Sequence, residues 1–463
     1  MTATIQLISP VDGRVYAERR YADPAHIDQS LIAAANAQAQ WKRRPLSERA
    51  DFCSAMVDAM LAMKDEIVPE LAWQMGRPIR FGAGELRGFE ERARHMIAIA
   101  PEALAAVEPA PVAGFRRYIQ REPVGTVLVV APWNYPYLTA VNTIIPALMA
   151  GNSVVLKHSS QTLLVGERFA EAMRRANMPE GVFQNLLLSH VWTAGIIATD
   201  RVQRVNFTGS VEGGKSMQHA AFGSFLDIGL ELGGKDPAYV RADANLDHAV
   251  ENLVDGSFFN SGQSCCAIER IYVDKQIYPA FIERFAALTR QYVLGNPLHE
   301  ATTLGPMVTP AAADFVRGQI AEALAQGAKA LIDPQAFPAD VPGSAYLAPQ
   351  VLVDVTHQMS VMREESFGPV VGIMPVEDDD VALALMNDSE FGLSASIWTQ
   401  DLAAAERLGN DIDTGTVFMN RCDYLDPALA WTGVKNSGRG VTLSRLGYEH
   451  LTRAKSFHLR HEI

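Results

Sequence analysis

The sequence predicts an α/β protein of two layers, the first a doubly wound parallel sheet over about residues 122–233. Three observations predict it. Short β-branched apolar runs alternate with helix-like stretches, the pattern of parallel strands joined by helical crossovers. The same alternation resumes beyond residue 234 and runs almost to the end of the chain. Between the two lies Gly233-Gly234, a pair able to bend the chain from one layer into the next. A chain of 463 residues also exceeds what one core usually organises.

The elements follow in order. After a short extended start, Leu31 to Trp41 is rich in Ala and Gln and predicts a helix. A second helix begins near Ser47, with Phe52, Met56, Met60, Met63 and Ile67 recurring at three or four residues, and closes at Gly76-Arg77-Pro78. Strands are predicted at Val127 to Pro132, Ser153 to Leu156 and Val205 to Phe207, the last running into Thr208-Gly209-Ser210. In the second layer they are predicted at Arg270 to Val273, Val351 to Val355, Val370 to Pro375 and Ser394 to Trp398, with a helix over Tyr278 to Arg290. Two segments fit neither layer: Val107 to Arg121 and the alternating tail Lys455 to Arg460. Exposed edge strands need a partner or a cover, so these segments are expected to form an oligomerisation flap.

Composition excludes several classes. The chain is 48% hydrophobic and 20% charged, as soluble globular proteins are, and no apolar run approaches the roughly 20 residues of a membrane span. A net charge of −13 disfavours nonspecific binding to nucleic acid or anionic lipid. Met1 to Ala17 has neither a basic leader nor an apolar stretch, so a cytoplasmic protein is expected. Cys53, Cys265, Cys266 and Cys422 are too few and too irregular for a disulfide framework or a zinc site, and the 11 histidines lack the paired spacing of a zinc helix. No metal is expected.

The most informative stretch is Phe258-Phe259-Asn260-Ser261-Gly262-Gln263-Ser264-Cys265-Cys266. An isolated cysteine is usually a small buried hydrophobe, but Gly262-Gln263 before this one suggests a tight turn presenting a thiolate to a cleft. The stretch resembles the active-site cysteine signature of the aldehyde dehydrogenase superfamily. Glu231-Leu232-Gly233-Gly234-Lys235, thirty-four residues before Cys265, is similar to its glutamate signature. The resemblance covers almost the whole chain, through Ala131-Pro132-Trp133-Asn134-Tyr135-Pro136, Phe207-Thr208-Gly209-Ser210, Glu365-Ser366-Phe367-Gly368-Pro369 and Lys435-Asn436-Ser437-Gly438.

It implies a Rossmann-like NAD(P)-binding domain at 1–106 and 122–233, an α/β catalytic domain at 234–446, and a small β oligomerisation flap at 107–121 and 447–463 of a homodimer or homotetramer. It also implies chemistry. Cys265 is the nucleophile, Asn134 an oxyanion donor, and Glu231 the base that activates water against the thioester. Glu231 argues against acylating relatives that pass the acyl group to another acceptor, the main alternative beside a noncatalytic structural protein on this fold.

No G-x-G-x-x-G follows a strand in the expected context. The resemblance instead places the cofactor, NAD or NADP, against Pro132, Trp133, Lys157, Ser160, Gly209, Ser210, Gly213, Leu232, Glu365 and Phe367. Three departures bear on specificity. Ser160 stands where many NAD-preferring members have a glutamate; its loss removes repulsion of a 2′-phosphate, so NADP is admitted. Ser189-His190-Val191 replaces paired glycines, and Trp431-Thr432-Gly433 replaces a Pro-Phe-Gly-Gly run. The aldehyde tunnel is expected from Tyr135, Leu138, Thr139, Asn142, Ser264, Cys266 and the loop Arg421 to Leu425. Arg421, directly after Asn420, is a candidate anchor for a substrate carboxylate, as in succinate semialdehyde, but a surface or interface arginine neutralised by Asp423 and Asp426 is the favoured reading.

Overall fold

The computed structural model describes residues 4–463. The first layer is a six-stranded sheet in the order Gly438–Arg439, Asp227–Glu231, Arg204–Thr208, Thr126–Val130, Ser153–Lys157, Phe183–Asn185. Its strands are parallel except the edge strand Gly438–Arg439, which pairs antiparallel with Asp227–Glu231. The alternation of side chains shows why the strands read as continuous apolar runs. Val127, Val129, Val154 and Leu156 enter a core with the helices Leu46–Leu61, Ile79–Ala103, Pro136–Ala150 and Leu163–Arg175. Leu128, Val130 and Val155 enter a separate core on the other face. A parallel sheet buried on both faces has no polar side to reveal.

The second layer is seven-stranded, in the order Lys329–Ala330, Gln350–Val353, Val370–Val376, Ile268–Asp274, Asp236–Val240, Ser394–Trp398, Thr416–Met419. All its pairings are parallel save that of Lys329–Ala330. The chain passes from one sheet to the other between Glu231 and Asp236, through Gly233-Gly234. Both layers are therefore where the alternation predicts them. Residues 438–439, however, return to the edge of the first sheet rather than staying with the second.

Two helices differ from expectation. The first spans Pro24–Trp41, a full two turns earlier than Leu31, because Asp23 caps it by accepting the His26 N–H and Pro24 occupies its first turn. The predicted second helix is two, Leu46–Leu61 and Lys64–Met75, broken at Ala62-Met63. The apolar period survives the break because Met56, Met60, Met63 and Ile67 all enter the same core. Gly76, with φ of 82°, ends the second segment as expected.

The two unplaced segments meet each other. Phe115–Pro123 pairs antiparallel with Thr452–Arg460 along its whole length, with Tyr118 stacked on Phe457 at 4.5 Å and Phe115 on His458 at 4.9 Å. Among the described residues no helix is long and apolar enough to cross a membrane, and no group of three or more His, Cys, Asp or Glu side chains is arranged to hold a metal.

Candidate active site

The turn that leads to Cys265 is forced by its backbone. The helix Leu246–Phe258 ends at Phe259, and Asn260, Ser261 and Gly262 follow with φ of 54°, 58° and 70°. At Gly262 a Cβ would stand 2.2 Å from the Gly368 carbonyl oxygen, so glycine is needed for both φ and space. Gln263 locks the turn: its amide donates to Asn260 O at 3.0 Å and accepts from Val308 N–H at 2.7 Å. Cys265 emerges half-buried. It lines two cavities at once, a trough of about 420 Å³ and a tunnel of about 730 Å³.

The trough runs along the carboxyl ends of the first sheet, where open α/β sheets bind ligands. Pro132, Trp133, Lys157, Ser160, Gly209, Ser210, Leu232, Glu365 and Phe367 all line it. Gly213 does not. Its N–H donates to the Ser210 hydroxyl, which caps the helix Val211–Ala220, and a Cβ there would meet the Phe207 ring at 2.6 Å. Gly213 therefore packs behind the trough, with Gly209 and Ser210 on its lining. At one end of the trough Lys157 is 8% exposed and its ammonium has no ion pair or hydrogen bond among the described residues; burial lowers its pKa. Ser159, Ser160 and His190 surround it, so no carboxylate lies at that end. At the other end Trp133 and Phe367 meet edge to face at 5.6 Å, and Glu365 accepts the Gly234 N–H at 3.1 Å. Burial first, and then the charge of Glu269, push Glu365 up to about 8. A buried lysine awaiting an anion, backbone N–H groups at a helix start and paired aromatic rings suit a phosphate-bearing dinucleotide with a flat ring.

Asn134 and Glu231 flank the thiol. Asn134 is buried in the trough and its amide donates to Gln263 O at 3.2 Å. Glu231 closes strand Asp227–Glu231 and faces the tunnel. Its carboxylate accepts from Thr208 at 2.9 Å and from Thr442. Burial raises its pKa, opposed by those hydroxyls and by the charge of Arg92.

The tunnel holds Tyr135, Leu138, Thr139, Asn142, Ser264, Cys266, Asp423, Tyr424 and Leu425 as expected, with Trp431 from the departing run. Arg421 takes the surface position that the sequence favours. It is exposed, outside the lining, with its guanidinium carbon 3.4 Å from the centroid of the Tyr424 ring. The charge inside the tunnel comes instead from Arg92, 8% exposed on helix Ile79–Ala103. Its Nη1 donates to Leu138 O at 2.9 Å and Asn142 Oδ1 at 3.4 Å. Burial lowers its pKa, and negative charge on Glu85, Cys266, Glu231 and Cys265 opposes that.

Sequence reasoning missed Arg92 because its neighbours, Glu90-Glu91-Arg92-Ala93-Arg94, read as a solvated helix face. The available signal was Gly84, Gly88 and Arg92 at four-residue spacing, one stripe of the helix that lines the tunnel. It also missed the buried pair Arg77–Glu85. Arg77 donates to Asn134 O at 2.7 Å, while Glu85 accepts the N–H groups of Tyr137 and Leu138 at 3.0 and 3.1 Å. This pair anchors Asn134 and the start of helix Pro136–Ala150.

Comparison with known proteins agrees with this geometry. The aldehyde dehydrogenase family model matches residues 1–457. The chain is 34% identical over 460 residues to a succinate-semialdehyde dehydrogenase [NADP(+)] of Mycolicibacterium paratuberculosis, covering 98% of this chain and 96% of that one. It is 32% identical over 460 residues to betaine aldehyde dehydrogenase 2 of Rhizobium meliloti, covering 97% and 92%. A solved structure of succinic semialdehyde dehydrogenase from Streptococcus pyogenes with NADP+ superposes with a TM-score of 0.93 at 27% identity, covering 98% of this chain and 100% of that one. The chain belongs to the aldehyde dehydrogenase family and is an NAD(P)-dependent aldehyde dehydrogenase.

Proposed function

We propose that the protein oxidises its aldehyde through a thioester on Cys265, that Glu231 prepares the water that hydrolyses it, and that Arg92 selects a short ω-carboxylate aldehyde. The observation that carries the first part is that the Cys265 sulfur faces tunnel and trough together. The thiolate adds to the aldehyde carbon from the tunnel, and the alkoxide so formed takes hydrogen bonds from the Asn134 amide and the Cys265 backbone N–H. NAD(P)+ in the trough supplies a hydride acceptor. Lys157, Ser160, Gly209 and Ser210 would hold its phosphate and ribose end, and Trp133, Leu232, Glu365 and Phe367 its nicotinamide end. Glu231 then takes a proton from water, the hydroxide adds to the thioester carbonyl, and the acid leaves as Cys265 regains its thiolate.

Arg92 supports the substrate class. A guanidinium buried in the tunnel with no carboxylate partner among the described residues is costly unless a ligand supplies one. Succinate-semialdehyde dehydrogenases among the relatives support the same reading. The ribbon of Phe115–Pro123 and Thr452–Arg460, bridged on its first strand only by Val107 at Ile119 and Val112 at Phe115 and with no further strand paired to it among the described residues, supports a homo-oligomer built through it.

The test is an aldehyde panel with NAD and NADP. Cys265→Ala is expected to lower turnover by about 10⁴-fold or more on every member, as loss of a nucleophile does; retained turnover removes the thioester. Arg92→Gln is expected to lower kcat/KM about 30-fold on succinate semialdehyde, the scale of a lost charged hydrogen bond. An equal loss on butanal would leave Arg92 a structural residue.

A further inference from the structure

The tunnel contains opposite charges that do not neutralise one another. The first layer contributes Arg92, tied by Nη1 to Leu138 O and Asn142 Oδ1 and free of any carboxylate within ion-pair distance among the described residues. The second layer contributes Asp423, in the turn after strand Thr416–Met419, and Asp255, on helix Leu246–Phe258. Asp423 is held in place by the Ser264 hydroxyl at 2.9 Å and the Cys266 thiol at 3.0 Å, and both donate to Oδ1. Its Oδ2 accepts no hydrogen bond from the described residues.

Of the tunnel's other charges, Glu231 accepts from Thr208 and Thr442 and offsets part of the charge of Arg92 without pairing with it. Glu90 pairs with Arg94, Glu91 accepts from the Tyr424 hydroxyl, and Arg87 is exposed. Arg77, the cation nearest in effect to Asp423, is committed to Glu85. Asp255 has no ion pair among the described residues, and its charge adds to the burial that pushes Asp423 up to about 6. A carboxylate with a free oxygen, whose ionisation a second carboxylate opposes, calls for a ligand cation; the unpaired guanidinium calls for a ligand anion.

We propose that the tunnel takes an aldehyde bearing a carboxylate and an ammonium together, an amino-acid semialdehyde, with the carboxylate on Arg92 and the ammonium on Asp423 backed by Asp255. This rests on the carboxylate role of Arg92 argued above and adds the second contact. It assigns Asp423 two tasks: it fixes Ser264 and Cys266 on either side of Cys265, and it reads the substrate's amino group.

The test uses aldehydes that differ by one group: butanal, succinate semialdehyde, aspartate semialdehyde and the 2-hydroxy analogue of succinate semialdehyde. For the wild type, kcat/KM is expected to rise at least tenfold from succinate to aspartate semialdehyde. Asp423→Asn is expected to bring that ratio to about one, and Asp255→Asn to reduce it partly; ratios are read because Asp423 also supports the nucleophile turn. The proposal is overturned if the wild type does not favour the amino substrate, if the hydroxy analogue matches it, or if Asp423→Asn leaves the ratio intact. The underlying reading is checked apart from this, by loss of butanal turnover in Cys265→Ala and by the ratio of succinate semialdehyde to butanal in Arg92→Gln.

Discussion

The cofactor trough and the aldehyde tunnel share Cys265, Thr139, Thr208 and Leu232, yet they are built on different plans. The trough is assembled mainly from the ends of strands in one sheet and the turns that follow them: 130–134, 157–160 and 207–210. Its one carboxylate is Glu365, far along the chain. The tunnel draws single side chains from helix Ile79–Ala103, helix Pro136–Ala150, helix Leu246–Phe258 and the turn at 423–425, and it is rich in charge. A ligand common to many enzymes can be bound by backbone and short local segments. A ligand peculiar to one enzyme needs side chains that only folding brings together.

The largest effects are expected where the two regions meet. Glu231→Gln removes the base without removing the thiol, so hydrolysis is expected to slow by about 10²–10⁴-fold. A rapid burst of NAD(P)H, near one equivalent per site, precedes the slow phase, and mass spectrometry of the quenched protein finds the acyl group on Cys265. A slow phase without a burst would place the loss before the thioester. The pH profile follows from burial. Glu231 acts when ionised, and its pKa is raised, so the wild-type rate is expected to climb with pH through a limb above the ordinary carboxylate range and to lose that limb in the Gln variant.

Asn134→Ala comes next. Losing an oxyanion donor typically costs about 10²–10³ in kcat. Here the side chain also donates to Gln263 O, so part of the loss is disorder in the nucleophile turn. Arg77→Met separates the two. It keeps the Asn134 amide but removes the guanidinium that holds Asn134 O and pairs with Glu85, so a large fall in melting temperature is expected with it. If Asn134→Ala lowers kcat with an unchanged melting temperature, its amide acts on the reacting oxygen.

The same contrast decides how much was legible in the sequence. Two alternating layers and the more apolar strands of each, such as Thr126–Val130, Ser153–Lys157, Ile268–Asp274 and Ser394–Trp398, could be read from apolar runs and turn residues, because those signals are local, whereas Asp227–Glu231, Asp236–Val240, Thr416–Met419 and the short edge strands could not. Cys265, in the turn between helix Leu246–Phe258 and strand Ile268–Asp274, could be singled out as a candidate from its motif, as could Glu231 and most of the residues that line the trough, many of them near strand ends. The break at Ala62-Met63 could not, since the apolar period continues across it. Nor could Arg92, Asp423 or the Arg77–Glu85 pair, whose partners lie tens to hundreds of residues away. Arg421, adjacent in sequence to Asn420 and close to the tunnel turn, offers both readings in sequence, and it stacks on Tyr424 outside the cavity as the surface reading has it.

The smallest effect tests whether the trough, for all its uniformity, carries a choice of its own. Lys157 is buried without an anionic partner, and Ser160 and His190 beside it add no negative charge. A 2′-phosphate entering that corner meets a cation and no repulsion, whereas a 2′-hydroxyl leaves the lysine unpaired. Ser160→Glu supplies the missing carboxylate. It is expected to pair with Lys157 and repel the phosphate, so that kcat/KM with NADP falls about tenfold, equivalent to about 1.4 kcal/mol, while the value with NAD holds or rises. His190→Ala in the same assay separates the helix start at Ser189 from the lysine, since a preference that survives Ser160→Glu but fails in His190→Ala would move the recognition of the phosphate from the strand end to that helix. Equal losses with both cofactors in Ser160→Glu would mean that this corner binds the ribose without discriminating, and the trough would then be as unselective as its local construction suggests.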